Sequence, residues 1–230
     1  RVVAQGTGWV VKNQLLVGAG VVLLIGAFGI IYSVESMERS GSAEAAEAFY
    51  KAADGYIDVK VPEAKDEAAK AEPSPESVAK AQRDFANARK MYPDNPVAYL
   101  ALLGEASSQL DLGNPAEAVK LYEEVLAYPK VEPFAKVLAL QGRATALEAD
   151  GKTDDAMGVW KTLGDIDRQT LGLFAGIQRG RLLEAANKKE EARKLYEALQ
   201  KDFTAALAEF GNREYKLTIE RKLAQLGEPG

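Results

Sequence analysis

Hydrophobic and polar positions along the chain follow two patterns. The first is one long apolar run. Residues 13–34 carry no charge, and 15–34 read LLVGAGVVLLIGAFGIIYSV. Twenty helical residues rise about 30 Å, the thickness of a bilayer's hydrocarbon core. Lys12 and Glu35 bound the run, and Trp9 and Tyr32 fall near the two interfaces. The pattern predicts a juxtamembrane segment over 1–12 and a transmembrane helix over 13–34. A cleavable leader fits less well, because its apolar region is shorter and no A-x-A-like site follows. Basic Arg1 and Lys12 on one flank, against Glu35, Glu38, Arg39, Glu44 and Glu47 on the other, favour a cytoplasmic N-terminus. The sequence opens on Arg1, so an upstream segment is expected, and its charges bear on that orientation. Within the run, Ala19, Gly26, Gly29 and Ser33 recur at spacings of seven, three and four, a stripe on which another helix could pack closely.

The second pattern is a repeat. Four segments place an aromatic four residues after an Ala: Ala81/Phe85, Ala118/Tyr122, Ala156/Trp160 and Ala192/Tyr196. The Ala positions are separated by 37, 38 and 36 residues. Three residues after each aromatic stands Ala88, Val125, Leu163 or Leu199, and KLYE occurs twice, at 120–123 and 194–197. Twelve residues before the Ala of the last three segments stands Ala106, Ala144 or Gly180. Gly113-Asn114-Pro115, Gly151-Lys152 and Asn187-Lys188 punctuate the segments as helix stops. The spacing predicts helix pairs, with first helices over 97–112, 134–150 and 173–186. In each pair the small Ala allows close approach, and the aromatic fills space between neighbouring pairs. Helices of this kind bury their apolar stripes only by stacking.

These positions resemble the tetratricopeptide repeat over about residues 77–203. Ala81, Phe85, Ala88 and Pro93 match the end of one unit, and Ala106, Ala118, Tyr122 and Val125 the middle of the next. An aromatic is missing at the repeat's fourth position, and the period exceeds the usual 34. The expected fold is therefore all-α: the transmembrane helix, then a tetratricopeptide-like solenoid of about four helix pairs, then a C-terminal capping helix. The first solenoid helix spans 35–57, continuing from the anchor. A charged, proline-containing insertion over 58–76 is expected to be a solvated loop. A capping helix and tail fill 204–230. If the first helices line a groove, as the resemblance implies, Leu100, Leu103, Ser107, Leu138, Gln141, Thr145, Phe174, Ile177 and Arg181 would face it, suiting an extended peptide or a partner helix.

Composition narrows the chemistry. The chain has no His and no Cys, which excludes Ser-His-Asp and Cys-His catalysis, Cys/His zinc sites and disulfides. A net charge of −5, with Lys188-Lys189 and Arg179/Arg181 as small basic islands, argues against nucleic acid as a partner. Gly6-Thr7-Gly8 lacks the strand-to-helix context of a phosphate loop. The acids Glu44 and Glu47, Asp154 and Asp155, and Glu190 and Glu191 read as solvated helix faces. No catalytic, metal or cofactor residues are expected, and the partners would be proteins or peptides, a membrane complex and the lipid bilayer.

The whole arrangement resembles the YfgM family, ancillary subunits of the bacterial SecYEG translocon. The resemblance rests on the Gly-rich span ending in Tyr32, the A-E-A-F-Y helix at 46–50 and repeats closing in a charged helix. It implies a single-pass protein of the bacterial inner membrane, with periplasmic repeats serving as a scaffold or chaperone-like factor. Three other readings stay open: an accessory subunit of another membrane complex, an envelope enzyme using Asp/Glu chemistry, and a cytosol-facing import receptor.

Overall fold

The computed structural model describes residues 43–60, 74–169, 171–208 and 212–227. All regular structure among them is helical: α1 (Ala43–Lys60), α2 (Pro75–Met91), α3 (Val97–Asp111), α4 (Pro115–Ala127), α5 (Pro133–Ala149), α6 (Thr153–Ile166), α7 (Gly172–Ala185), α8 (Lys189–Asp202), α9 (Thr204–Ala208) and α10 (Arg213–Leu226). The chain divides into two compact units, Arg1–Gly142 and Arg143–Gly230. Among the described residues no helix is long and apolar enough to cross a membrane. The expected span over 13–34, with its stripe of Ala19, Gly26, Gly29 and Ser33, lies outside those residues.

Helix boundaries follow local chemistry. The stops after α3, α5 and α7 are built alike. Gly113, Gly151 and Asn187 adopt φ of 76°, 76° and 58°, the left-handed conformation that closes a helix C-terminus. The next amide bonds back five residues each time: Asn114 to the Gln109 carbonyl at 2.9 Å, Lys152 to Leu147 at 2.9 Å and Lys188 to Leu183 at 2.8 Å. The expected stops are therefore one device used three times, with Asn replacing Gly at the last. Helix α2 begins at Pro75, inside the stretch expected to be loop. The Ser74 hydroxyl accepts from the Ser77 amide at 3.2 Å, and Pro75 supplies a φ suited to a first turn. Likewise α1 runs to Lys60 instead of ending at 57. The single capping helix expected within 204–230 is two helices. Asn212 donates its side-chain amide to the Ala206 carbonyl at 3.0 Å, tying the end of α9 to the start of α10.

In the first unit α1, α2, α3 and α4 pack successively, and Phe85 of α2 is the centre of the core. Its ring centroid lies 5.9 Å from those of both Phe49 and Tyr56 on α1. On its other side it rests on Gly104 of α3, where an added Cβ would stand 2.5 Å from the ring. Tyr122 of α4 rests in the same way on Gly142 of α5, where a Cβ would come within 2.2 Å. The repeated aromatic thus reaches a following first helix only because that helix presents no side chain there.

The second unit uses the contact within a pair. Tyr196 of α8 rests on Gly180 of α7, and Leu199 rests on Gly176 one turn earlier; Cβ atoms there would fall at 2.5 and 2.4 Å. Among the described glycines none lies beneath Trp160 of α6, which meets Phe174 of α7 edge-on at a centroid distance of 5.6 Å. All four repeated Ala residues, their aromatics and Ala88, Val125, Leu163 and Leu199 are buried. The spacing read from sequence is the core of each unit.

Two glycine substitutions separate crowding from backbone strain. Gly142→Ala drives a methyl into the Tyr122 ring and is expected to cost about 1–3 kcal/mol as an overpacked core. Gly151→Ala has open space around it and pays about 1–2 kcal/mol for its left-handed backbone alone. Chemical unfolding of the full chain followed by circular dichroism checks both. Substituting Tyr122 by Leu should rescue the first variant and leave the second unchanged.

Candidate functional site

The polar groups inside the units form a second repeated device. In the second unit Glu148 stands eight residues before Ala156, and Glu184 eight before Ala192. Each carboxylate accepts from the aromatic of its own pair. Trp160 Nε1 donates to Glu148 Oε1 at 2.7 Å, and the Tyr196 hydroxyl donates to Glu184 Oε1 at 2.6 Å. The other oxygen takes a cation from a later helix: Arg181 of α7 for Glu148, and Lys222 of α10, at 2.9 Å, for Glu184. One acid thereby links three helices. Its partial burial makes the charge-assisted bonds stronger than surface ion pairs, and removing one partner strands the other.

The first unit has a different arrangement. Glu105 of α3, 7% exposed, receives Gln82 Nε2 at 3.2 Å and faces Arg89 at 3.1 Å. Arg89 reaches on to Glu124 of α4 at 3.5 Å. Tyr56 of α1 donates to Asp111 of α3 at 2.6 Å, and the Tyr122 and Ser107 hydroxyls share a bond at 3.0 Å. Burial pushes the Tyr122 phenol up to about 12, with the Asp111 charge adding to the rise and the Ser107 bond opposing it. Burial first, then the adjoining carboxylate, raises Tyr56 and Tyr196 as well.

A cleft of about 730 Å³ opens in the second unit, where the loop after α6 and the end of α8 meet α9 and the start of α10. Leu173, Phe203 and Tyr215 give it apolar walls, and the Arg168–Asp202 ion pair, at 2.8 Å, crosses its rim. The size falls in the range of ligand clefts. Among the described residues no group of three or more acids is placed to hold a metal ion.

The residues expected to face a groove are turned inward or internally engaged. Leu100, Leu103, Leu138 and Gln141 are buried. Ser107 is bonded to Tyr122, Phe174 packs on Trp160, Ile177 joins the apolar cluster around Tyr196, and Arg181 is paired with Glu148. Thr145 is half-buried and also has an interaction partner. Ser107, Thr145, Phe174, Ile177 and Arg181 keep part of their surface exposed. Sequence reasoning missed Glu148, Glu184 and the glycine seats Gly104 and Gly142. The signal was present, since both acids keep one offset from the repeated Ala and the two glycines share the repeat's 38-residue step.

Helix pairs locked by small-residue seats, a periodic aromatic and left-handed stops define a helical-repeat protein. A family described as tetratricopeptide repeat-like domain matches residues 8–228, and the chain belongs to that family. Comparison with curated proteins and with solved structures gives no match.

Two measurements follow from these contacts. Glu148→Gln leaves Arg181 without its charge partner and is expected to cost about 3 kcal/mol or more in unfolding free energy, whereas Glu117→Gln, whose ion pair with Lys120 lies on the exposed surface, should cost under about 1 kcal/mol. For Tyr122 the folded phenol titrates above its unfolded value, so its contribution is fully present below about pH 10 and is lost as pH rises toward 12. The melting temperature should therefore fall over that window, and the fall should be shallower in Tyr122→Phe.

Proposed function

We propose that the protein is a non-enzymatic, membrane-anchored interaction scaffold or chaperone-like factor of the bacterial envelope, associated with the protein translocon. The observation that carries this reading is the set of helix pairs. Their buried acids serve to join helices, so what the domain offers a partner is shape and surface. Tetratricopeptide repeat-like domains mediate protein–protein contacts, which agrees with that use. The uncharged run at 13–34 supports the anchor and its bilayer partner, and the basic flank supports a cytoplasmic N-terminus with periplasmic repeats. The likeness to YfgM proteins supports the translocon as partner.

A second reading is supported by the stripe of Ala19, Gly26, Gly29 and Ser33, a surface for close helix packing. On it the chain is a structural subunit of another membrane complex, docked by its span.

Mild-detergent purification from native membranes, with mass spectrometry of the copurifying proteins, distinguishes the two. Stoichiometric SecY and SecE is the expected result, and a different stable complex transfers the protein to the second reading. Release of intact protein by alkaline carbonate would contradict the anchor in both.

A further inference from the structure

The two ends of the first unit carry different chemistry. Tyr99, in the first turn of α3, meets Tyr128, just past α4, with ring centroids 5.8 Å apart. Near the other ends of α1 and α3, Tyr56 donates to Asp111 at 2.6 Å. Helices α1 and α3 therefore run the same way, and α2 and α4 return. One end gathers the start of α1 and the junctions at 92–96 and 128–132; the opposite end carries the turn at 112–114 and the Ser74 cap.

Among the described residues of this unit, Tyr50, Met91 and Phe134 are the exposed large apolar side chains. Met91 closes α2 and Phe134 lies in the first turn of α5, so both stand at the first end, 59% and 38% exposed. Tyr50 sits on the half of α1 nearer that end, and half-buried Tyr92 and Tyr128 occupy the two junctions. The opposite end exposes no large apolar side chain among the described residues: its turn is half-buried Leu112 followed by Gly113 and Asn114. The apolar site is periodic, since Met91, Tyr128 and Ile166 each stand ten residues after a repeated Ala. Exposed Lys90, Lys130 and Lys136 at the first end are balanced by exposed Glu44, Asp94 and Glu132. Charge alone therefore gives little attraction, and the apolar and aromatic groups set what this end fits.

We infer that this end of the first unit rests on the bilayer, with Met91 and Phe134 in the interfacial layer and Tyr92 and Tyr128 at headgroup level. The inference rests on the proposed anchor at 13–34, and the course of the chain supports it. Residues 35–42 alone separate the uncharged run from α1, a reach of at most about 28 Å. That brings the start of α1, and with it the apolar end, to the membrane, while the polar end stands about 27 Å further out, the length of an 18-residue helix. Tyrosine rings suit the boundary between water and hydrocarbon, and lysine stems lie along apolar surface while their ammonium groups reach headgroups. Contact of this kind fixes how the repeats stand on the membrane instead of leaving them on a free tether.

The chain contains no Cys, so single cysteines can carry a fluorophore at chosen points of the full-length protein in vesicles of phosphatidylethanolamine and phosphatidylglycerol. A label at Lys130→Cys should be quenched by lipids bearing a headgroup nitroxide at least about threefold more strongly than one at Glu117→Cys, at the opposite end. Adding Met91→Ser and Phe134→Ser should reduce quenching at 130 to the level at 117 with helical content unchanged. The single substitutions take their place if the double variant loses helix. Equal quenching at 130 and 117, or quenching at 130 that the serine substitutions do not lower, in protein that resists alkaline carbonate would overturn the inference and leave the anchor standing. Release by carbonate would overturn the anchor and this inference with it.

Discussion

The close seating of a ring on a bare stretch of helix is the constraint on which each unit depends. An aromatic side chain can bridge two helices and still leave their backbones near only where one of them carries no Cβ. Phe85 on Gly104, Tyr122 on Gly142 and Tyr196 on Gly180 are three solutions of that problem. The surrounding pattern follows from them. The Ala one turn before each ring keeps its own helix close to the partner, and the apolar residue three positions after it seals the far end. Because interiors are packed at crystal-like density, an added methyl at a seat has nowhere to go without moving a helix.

Polar chemistry is fitted around this frame. Tyr122, Trp160 and Tyr196 are buried and each turns its polar tip to a hydrogen-bond partner, Ser107, Glu148 or Glu184. The acids then have a second oxygen to satisfy, and a cation from a later helix satisfies it. What begins as the need to pair a buried Tyr or Trp ends as a link across three helices. The same logic ties α10 to the second unit: Lys222 meets Glu184 beside buried Ile219, with Tyr215, Leu223 and Leu226 packed around it.

Most of this frame was legible in the sequence. Periodic Ala and aromatic positions gave the helix pairs, and the Gly and Asn stops fell where the chain turns, since both signals are local and survive without knowledge of neighbours. The boundaries at Lys60 and Pro75 differed because a capping Ser and a first-turn Pro extend a helix into residues whose composition reads as loop. Hydrophobicity alone does not mark a groove face, because Leu100 and Leu103 sit on a helix whose Val97–Ala106 stretch is buried on every side. Glu148 and Glu184 look like surface helix formers, and only their common offset from the repeated Ala marks them as internal links.

The most direct test of the seating constraint is a double-mutant cycle on the purely apolar pair, Gly104→Ala with Phe85→Leu, read as unfolding free energy of the full chain. If the ring and the bare helix are one constraint, Gly104→Ala should cost about 1–3 kcal/mol with Phe85 in place and far less in the Phe85→Leu background, where the smaller side chain leaves room for the methyl. The coupling should then exceed about 0.5 kcal/mol. Additive losses would show that Gly104 and Phe85 act independently and would contradict the account.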